Sequence, residues 1–159
     1  MKRKKMLIAH RGLSATYPEN TLPAFEQALR LDVDAIEFDV HMSRDGELVI
    51  THDDRIDRCS NGTGRVRDLT FEELRRLDFG SWKAPEFAGT RIPTLTEVLD
   101  LVEEAADGLG RGLPLVVGGA RAPVLERSGA RALVVRDGAH DGVLVADDAA
   151  DDGGLLVVE

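Results

Sequence analysis

The clearest pattern in this sequence is the alternation of apolar and acidic residues between Ala35 and Val40. Because strand side chains point alternately to opposite faces, the apolar residues are predicted on one face and Glu37 and Asp39 on the other, about 7 Å apart. Two carboxylates on a strand that is buried on both faces are costly unless positive charge compensates them. The pattern therefore favours a hard cation held by oxygen ligands, and the alternative is an edge strand with a solvated acidic face.

Helical patterns alternate with the strand-like runs. After Asn20, a candidate N-cap, apolar residues recur at helical spacing, and Pro23 is tolerable in a first turn. The segments Thr70–Glu73 and Thr94–Glu97 both fit the capping-box pattern and predict two further helices. The chain before residue 108 is therefore predicted to be one compact α/β unit.

Two histidines lie where predicted strands end, since His10 and His52 each follow a short apolar run. An Asp45-Gly46 pair between two strand-like runs predicts a two-residue hairpin turn, whose register places His52 opposite Asp39. A histidine beside a metal-bound carboxylate is suited to proton transfer near neutral pH, because its ordinary pKa is close to that range.

Arg11 and Gly12 directly follow His10. A guanidinium group offers a planar, bidentate grip on phosphate, and glycine lets a ligand approach the backbone. We interpret the other two histidines, His41 and His140, as hydrogen-bonded packing or surface residues. An acidic pair, two histidines and an arginine together suggest phosphoryl chemistry.

An ordered series of motifs runs through the first two-thirds of the chain. It comprises Ala9–Gly12, Pro18–Thr21, Ile36–Val40, Asp45-Gly46, Thr51–Asp53, Asn61–Val66 and Ile92–Leu99. At these spacings the series resembles the glycerophosphodiester phosphodiesterase family over about residues 6–104.

The resemblance implies an α/β, TIM-barrel-like fold and hydrolysis of glycerophosphodiesters to sn-glycerol 3-phosphate and an alcohol, with a divalent cation, Mg²⁺ or Ca²⁺. By position, His10 and His52 match the family's catalytic acid/base pair. Glu37 and Asp39 match its metal ligands. The positions expected to bind substrate or to border the site are Arg11, Glu19 and Asn20.

The sequence departs from the family where the next strand should supply a third acidic ligand and a lysine. The aligned segment, 115–120, has Gly118 in place of the carboxylate and Ala120 in place of the lysine. A second interpretation is therefore a catalytically inactive, truncated remnant that retains at most metal or phosphate binding. A third is a phosphodiesterase for a related substrate such as a lysophospholipid or an inositol phospholipid. Alternative sources of the carboxylate are Asp137, Asp141 and Asp147.

We interpret residues 1–159 as a single domain in which 53–93 is the family's insertion over the barrel mouth and 108–159 is divergent or truncated. Ten of the sixteen glycines lie from Gly108 onward, and this part has no aromatic residue. A complete barrel usually needs about 250 residues. The expectations are a partial or compacted barrel, one completed by self-association, or a truncated product with a shifted reading frame. Elements predicted in the last third are strands at Leu113–Val117, Ala132–Val135, Val143–Ala146 and Leu155–Val158, and a helix at Pro123–Arg127.

Composition narrows the expected partners. A net charge of −9 disfavours binding to nucleic acid or to an anionic membrane. The four apolar residues before His10 are too few for a signal-peptide core or a membrane span. A single cysteine, Cys59, allows no intramolecular disulfide. We therefore expect a cytoplasmic protein that acts on a small phosphodiester, with homo-oligomerisation left open.

Overall fold

A computed structural model describes residues 7–31, 33–109, 115–118, 133–135 and 144–145. In this part of the chain, none of the helices has the length and apolar character needed to cross a membrane. The strands are β1 (Ile8–His10), β2 (Ala35–Met42), β3 (Leu48–Ile50), β4 (Leu115–Gly118), β5 (Leu133–Val135) and β6 (Leu144–Val145). The helices are α1 (Leu22–Leu29), α2 (Phe71–Arg75) and α3 (Leu95–Leu109), with 3-10 turns at Val66–Asp68 and Pro85–Phe87.

Three strands predicted in the last third of the chain are confirmed as β4, β5 and β6, within two residues at each end. The other predictions for this part lie outside the described residues. They are the helix at Pro123–Arg127, the strand at Leu155–Val158, and the side chains of Ala120, Asp137, His140, Asp141 and Asp147. The single-domain interpretation stays a prediction.

The sheet runs in the order β1, β2, β4, β5, β6, and the pairs β1–β2, β2–β4 and β4–β5 are parallel. The register places His10 beside Glu37, and Asp39 beside Gly118. Parallel neighbours bring the carboxyl ends of their strands to the same edge of the sheet, where ligands bind in open and barrel α/β folds. The predicted α/β class is confirmed, and its chemistry-bearing residues share one edge.

The hairpin between β2 and β3 differs from its prediction. Its turn has three residues and ends at Gly46, whose φ of 92° is left-handed and whose N–H donates to the Ser43 carbonyl oxygen at 3.1 Å. Such a three-residue turn shifts the register by one residue. Thr51, not His52, lies opposite Asp39, and its N–H donates to the Asp39 carbonyl oxygen at 3.0 Å. The predicted Asp39–His52 pairing is therefore wrong, because the turn contains one more residue than assumed.

The apolar face of β2 forms the main core with α1 and α3. Ile36 and Phe38 are fully buried there, and the Phe38 ring lies 6.0 Å from that of Phe25 in an edge-to-face arrangement. Because residues alternate along the strand, this packing turns Glu37 and Asp39 to the face away from the two helices. The hydrophobic core thus determines the direction of the acidic pair.

The helix starts agree with two of three predictions. At α2 the Thr70 hydroxyl accepts a hydrogen bond from the Glu73 N–H while the Glu73 carboxylate accepts one from the Thr70 N–H. Thr94 and Glu97 make the same reciprocal pair at α3, at 2.8 and 3.1 Å. Both predicted capping boxes are confirmed.

The N-cap prediction for α1 is wrong. Thr21 is the N-cap residue, and its side chain makes no capping hydrogen bond. Asn20 precedes it in the left-handed region, with φ of 57°, a conformation that asparagine tolerates better than most residues. Its side chain is used instead in a contact with Asp39. Asparagine often caps helices, but the Asn20 side chain here binds Asp39 at the carboxyl edge of the sheet.

The segment between β3 and α3 contains α2, both 3-10 turns and a second, smaller core. Ile56 and Leu74 are buried in that core, with 1% and 0% of their surface exposed. The packed segment begins directly after β3, so it holds residues 52–58 beside the carboxyl edge of the sheet. Its structure is therefore part of the site's architecture.

Candidate active site

Glu37 and Asp39 form the centre of the site and are largely buried, with 8% and 6% of their surfaces exposed. The Arg11 N–H donates to Glu37 Oε2 at 3.0 Å, and the Asn20 amide donates to Asp39 Oδ2 at 3.0 Å. Burial, followed by the neighbouring Asp39 carboxylate, raises the pKa of Glu37 to about 7. The negative charge of Glu37 and Asp39 is therefore not fully balanced by the positive groups and hydrogen-bond donors around them.

Gly118 lies on the neighbouring strand β4, directly beside this acidic pair. A Cβ atom added at this position would lie 2.5 Å from Asp39 Oδ1 and 3.0 Å from Glu37 Oε1. The end of β4 therefore faces both carboxylates and places no side chain there. Among the described residues, no group of three or more His, Cys, Asp and Glu side chains is arranged to hold a metal ion.

His10 ends β1 beside the acidic pair, with its Nε2 atom 3.8 Å from Glu37 Oε2. The Ser14 hydroxyl donates to the His10 carbonyl oxygen at 2.8 Å. The chain turns sharply at Arg11, whose φ of 58° is left-handed, and at Gly12, where an added Cβ would lie 2.8 Å from Ala24. A strained turn of this kind persists only when its surroundings fix it, so the His10 backbone is held in place.

The Arg11 guanidinium places positive charge between the carboxylates of Glu19 and Asp39. Its Nη1 donates to Glu19 Oε1 at 3.0 Å, and its Nε lies 3.5 Å from Asp39 Oδ2. That Nε atom is buried, and none of the described residues accepts a hydrogen bond from it. A buried donor with no acceptor is unusual, and the Asp39 carboxylate 3.5 Å away offsets its positive charge without a hydrogen bond.

His52 follows β3 and is held at two points. Its Nδ1 atom lies 2.7 Å from Asp53 Oδ1, and the His41 ring makes a 3.0 Å hydrogen bond to its carbonyl oxygen. The latter contact agrees with the interpretation of His41 as a hydrogen-bonded packing residue. Hydrogen bonding from Arg58 holds the pKa of Asp53 below its usual range.

Glu19 is bound by two arginines. Arg58 donates to its carboxylate through Nη2 at 2.7 Å and Nη1 at 2.9 Å, and Arg11 adds the third hydrogen bond. Burial alone would raise the pKa of Glu19, but the hydrogen bonds and charges of Arg58 and Arg11 outweigh it and lower the pKa. Glu19 thus organises arginines in this structure, with no contact to the acidic pair among its hydrogen bonds.

Arg58 is the site residue that the sequence analysis missed. It connects Glu19 with Asp53, and through Asp53 with His52. Its partner Glu19 is 39 residues away, and an arginine among loop acids gives no local signal of such a contact. Hydrogen bonds and close charge contacts join the predicted site residues in one network: His10, Arg11, Glu19, Asn20, Glu37, Asp39 and His52.

The sheet and site define a TIM-barrel-like domain whose polar residues gather at the carboxyl ends of its parallel strands. Residues 10–114 match the family described as the glycerophosphoryl diester phosphodiesterase family. The chain belongs to that family.

Individual relatives agree with this assignment. The chain is 50% identical over 99 residues to a glycerophosphodiester phosphodiesterase of Caldanaerobacter subterraneus subsp. tengcongensis, covering 62% of this chain and 41% of that protein. A glycerophosphodiester phosphodiesterase from Agrobacterium tumefaciens is similar in structure, with a TM-score of 0.64, 34% identity and coverage of 72% and 48%.

A second solved structure is a phosphodiesterase from Oleispira antarctica in complex with the product sn-glycerol-3-phosphate. It gives a TM-score of 0.65 at 37% identity and covers 74% of this chain and 46% of that one. These neighbours confirm the TIM-barrel-like α/β fold. The chain spans less than half the length of each of these three relatives.

Proposed function

We propose that this protein hydrolyses glycerophosphodiesters to sn-glycerol 3-phosphate and an alcohol. Water adds to phosphorus, the bond from phosphorus to the alcohol oxygen breaks, and that oxygen takes up a proton. The observation that carries the proposal is the 3.8 Å contact between His10 and Glu37 at the sheet edge, with His52 linked to the same cluster by hydrogen bonds through Asp53 and Arg58. A relative complexed with sn-glycerol-3-phosphate supports the choice of product.

A divalent cation, Mg²⁺ or Ca²⁺, is the proposed cofactor, and Glu37 and Asp39 are its proposed ligands. The donor chemistry fits, because Mg²⁺ is commonly bound by one or two carboxylates together with water and substrate phosphate. The raised pKa of Glu37 is a second support, since it marks a place where positive charge would be stabilising. When bound, the cation supplies charge that offsets the phosphodiester oxygens.

The remaining roles, proton transfer and phosphate binding, belong to side chains of the protein. His10 and His52 act as the acid/base pair, one accepting the proton of water and the other giving a proton to the leaving alcohol. Arg11 binds the phosphate, and Glu19 holds the Arg11 guanidinium in place through its 3.0 Å hydrogen bond. Asn20 fixes the Asp39 carboxylate.

The second candidate is the inactive remnant, and Gly118 is the observation that favours it. At the position facing both carboxylates β4 brings no side chain, so the described residues offer two acids instead of three. A site of this kind binds a cation or phosphate more weakly and hydrolyses no substrate. Cation binding without turnover is the signature that separates the two candidates.

Further features of the proposal concern substrate and location. A glycerophosphodiester with a small head group is favoured over a lysophospholipid or an inositol phospholipid, in line with the family's name. The proposed role is in lipid and glycerol metabolism in the cytoplasm, without a nucleic-acid partner, in agreement with the net charge of −9.

The experiment measures sn-glycerol 3-phosphate released from glycerophosphocholine by the purified chain, with Mg²⁺ or Ca²⁺ and then with chelator. His10→Ala and His52→Ala are assayed beside the wild type, and Arg55→Ala, at an exposed ion pair in the same loop as Arg58, is the control. We expect release that requires the cation and that falls at least 100-fold in both histidine variants, the range that acid–base catalysis supplies. A folded, cation-bound protein that releases nothing supports the inactive candidate, and preferred release from a lysophospholipid changes the substrate class.

A further inference from the structure

Asp53 lies between His52 and Arg58 and makes a strong hydrogen bond to each. His52 Nδ1 is 2.7 Å from Asp53 Oδ1, and Arg58 Nε is 2.7 Å from Asp53 Oδ2. Each carboxylate oxygen thus has its own partner. With both oxygens engaged, the Asp53 side chain has one orientation that satisfies both contacts.

The protonation of the His52 ring follows from this contact. An ionised carboxylate only accepts hydrogen bonds, so the ring nitrogen at 2.7 Å must carry the hydrogen. In a neutral imidazole, the hydrogen bond made by one ring nitrogen determines whether the other nitrogen carries a hydrogen. A neutral His52 therefore carries its hydrogen on Nδ1 and presents Nε2 as the atom that accepts or returns a proton.

Arg58 makes the arrangement rigid. While its Nε binds Asp53, its two terminal nitrogens form a fork on Glu19 at 2.7 and 2.9 Å. Bidentate pairing fixes both distance and angle. The loop that carries Arg58 is anchored by Ile56, whose side chain is 1% exposed in the second core.

We propose that Asp53 and Arg58 are positioning residues that hold His52 in the Nδ1–H tautomer with its Nε2 available for proton transfer. This inference rests on the proposed function for its catalytic consequence, and on the hydrogen-bond geometry alone for the tautomer. Arg58 additionally couples the orientation of His52 to that of Glu19, and through Glu19 to the guanidinium of Arg11.

The geometry makes Asp53→Asn a sharp test. Arg58 donates to one side of this group, so it selects the amide orientation in which the oxygen faces the guanidinium and the NH₂ group faces His52. The NH₂ group is a donor, and Nδ1 must then be the acceptor. The substitution is expected to invert the tautomer while changing almost no volume. Asp54→Asn, the same change at the next residue, is the matched control, because the Asp54 carboxylate pairs with Arg65 instead.

The primary readout is the ¹⁵N spectrum of the histidine rings, recorded on the full chain at about pH 9, where an ordinary imidazole is neutral. His52→Gln assigns the signals. We expect Nδ1–H for His52 in the wild type and in Asp54→Asn, and Nε2–H in Asp53→Asn. A wild-type spectrum with His52 as Nε2–H overturns the proposal, as does an unchanged tautomer in folded Asp53→Asn.

Kinetics give the second readout. With glycerophosphocholine, kcat of Asp53→Asn is expected to fall about 100-fold or more, with a smaller change in KM, since a wrongly protonated base fails in catalysis more than in binding. Equal kcat in Asp53→Asn and wild type overturns the positioning role. If the wild type itself has no activity, the proposed function fails, and the tautomer remains decided by the spectra.

Arg58→Lys tests the fork separately. Lysine keeps the positive charge but cannot bridge Asp53 and Glu19 in two fixed directions. Without the fork the Asp53 carboxylate is expected to contact His52 for only part of the time, which gives a mixture of His52 tautomers and a kcat between those of wild type and Asp53→Asn. A variant identical to wild type in both readouts removes Arg58 from the proposal.

Discussion

Gly118 lies beside Asp39 in the parallel register of β2 and β4, and a Cβ atom at this position would be 2.5 Å from Asp39 Oδ1. Real Cβ contacts are longer than this, so the carboxylate occupies space that only glycine leaves open. The family resemblance predicts an acid at this position, and in this structure the Asp39 carboxylate occupies the space that such a side chain would need. Two predictions about cation binding follow from the surroundings of Asp39.

Gly118→Ala is expected to weaken binding of Mg²⁺ or Ca²⁺, because the methyl group displaces the Asp39 carboxylate from its present position. Titration calorimetry of the folded variant measures the effect. Gly46→Ala is the contrasting control. Gly46 has φ of 92° and open space around it, so its substitution should cost about 1 kcal/mol of stability and leave cation affinity unchanged. Equal affinity in Gly118→Ala and wild type contradicts the account of this contact.

Asn20→Gly removes the amide that donates to Asp39 Oδ2 at 3.0 Å while keeping the left-handed backbone. Groups that orient a metal ligand typically contribute 10- to 100-fold to metal affinity. We therefore expect cation affinity to fall about 10-fold, as measured by the same titration. Asn61→Gly, where the lost contact is to the Asp78 backbone, is the matched control. A variant at position 20 that binds as tightly as Asn61→Gly would remove Asn20 from the site.

Thr94→Ala tests the capping box that begins α3. The Thr94 hydroxyl accepts the Glu97 N–H at 3.1 Å, and losing such an N-cap costs about 1 kcal/mol in the free energy of unfolding. Urea denaturation provides the measurement. Thr94→Ser should retain most of the stability, and Thr96→Ala, at an exposed position of the same helix, should change it little. Similar losses at positions 94 and 96 would show that the cap does not stabilise α3.

Asp78 predicts a pH dependence of stability. Its carboxylate accepts hydrogen bonds from the Ser81 hydroxyl and from the N–H groups of Gly89, Ser81 and Gly80, and these lower its pKa. A lowered folded-state pKa stabilises the protein above the unfolded value, about 3.9, and the stabilisation is lost as pH falls through the folded-state value. Asp78→Asn should therefore be less stable than wild type near pH 6, with the difference shrinking in acid.

Unfolding free energies of wild type and Asp78→Asn across this pH range provide the measurement. Glu86→Gln, at an exposed acid of the same segment, should track the wild type. A difference that stays constant from pH 6 into acid would contradict the assignment of this pH dependence to Asp78.

The acidic pair was predictable from sequence because its signal is local. Alternation with period two fixes which side chains share a face, and the apolar face of β2 packs on α1 and α3 as the pattern requires. Capping boxes are equally local, and both occur where predicted. Motif order then related these elements to a known family, which propensity alone could not do.

The predictions that were wrong or missing concern features that depend on a single residue or on a contact between residues far apart in the sequence. A single left-handed Gly46 lengthened the turn and moved Thr51 opposite Asp39. Asn20 has the chemistry of a cap, but it bonds to Asp39 across 19 residues. Arg58 depends on Glu19, 39 residues away. Such contacts form only when the chain is folded, and the short stretches of sequence that predict helices, strands and turns do not contain both partners.

The most direct test of the account is hydrolysis of glycerophosphocholine in ¹⁸O-labelled water with Mg²⁺ or Ca²⁺ present. The account predicts release of sn-glycerol 3-phosphate carrying one ¹⁸O atom on its phosphate, with unlabelled choline, because water adds to phosphorus and the bond to the alcohol oxygen breaks. Absence of release from a folded, cation-bound protein, or label in choline, would contradict it.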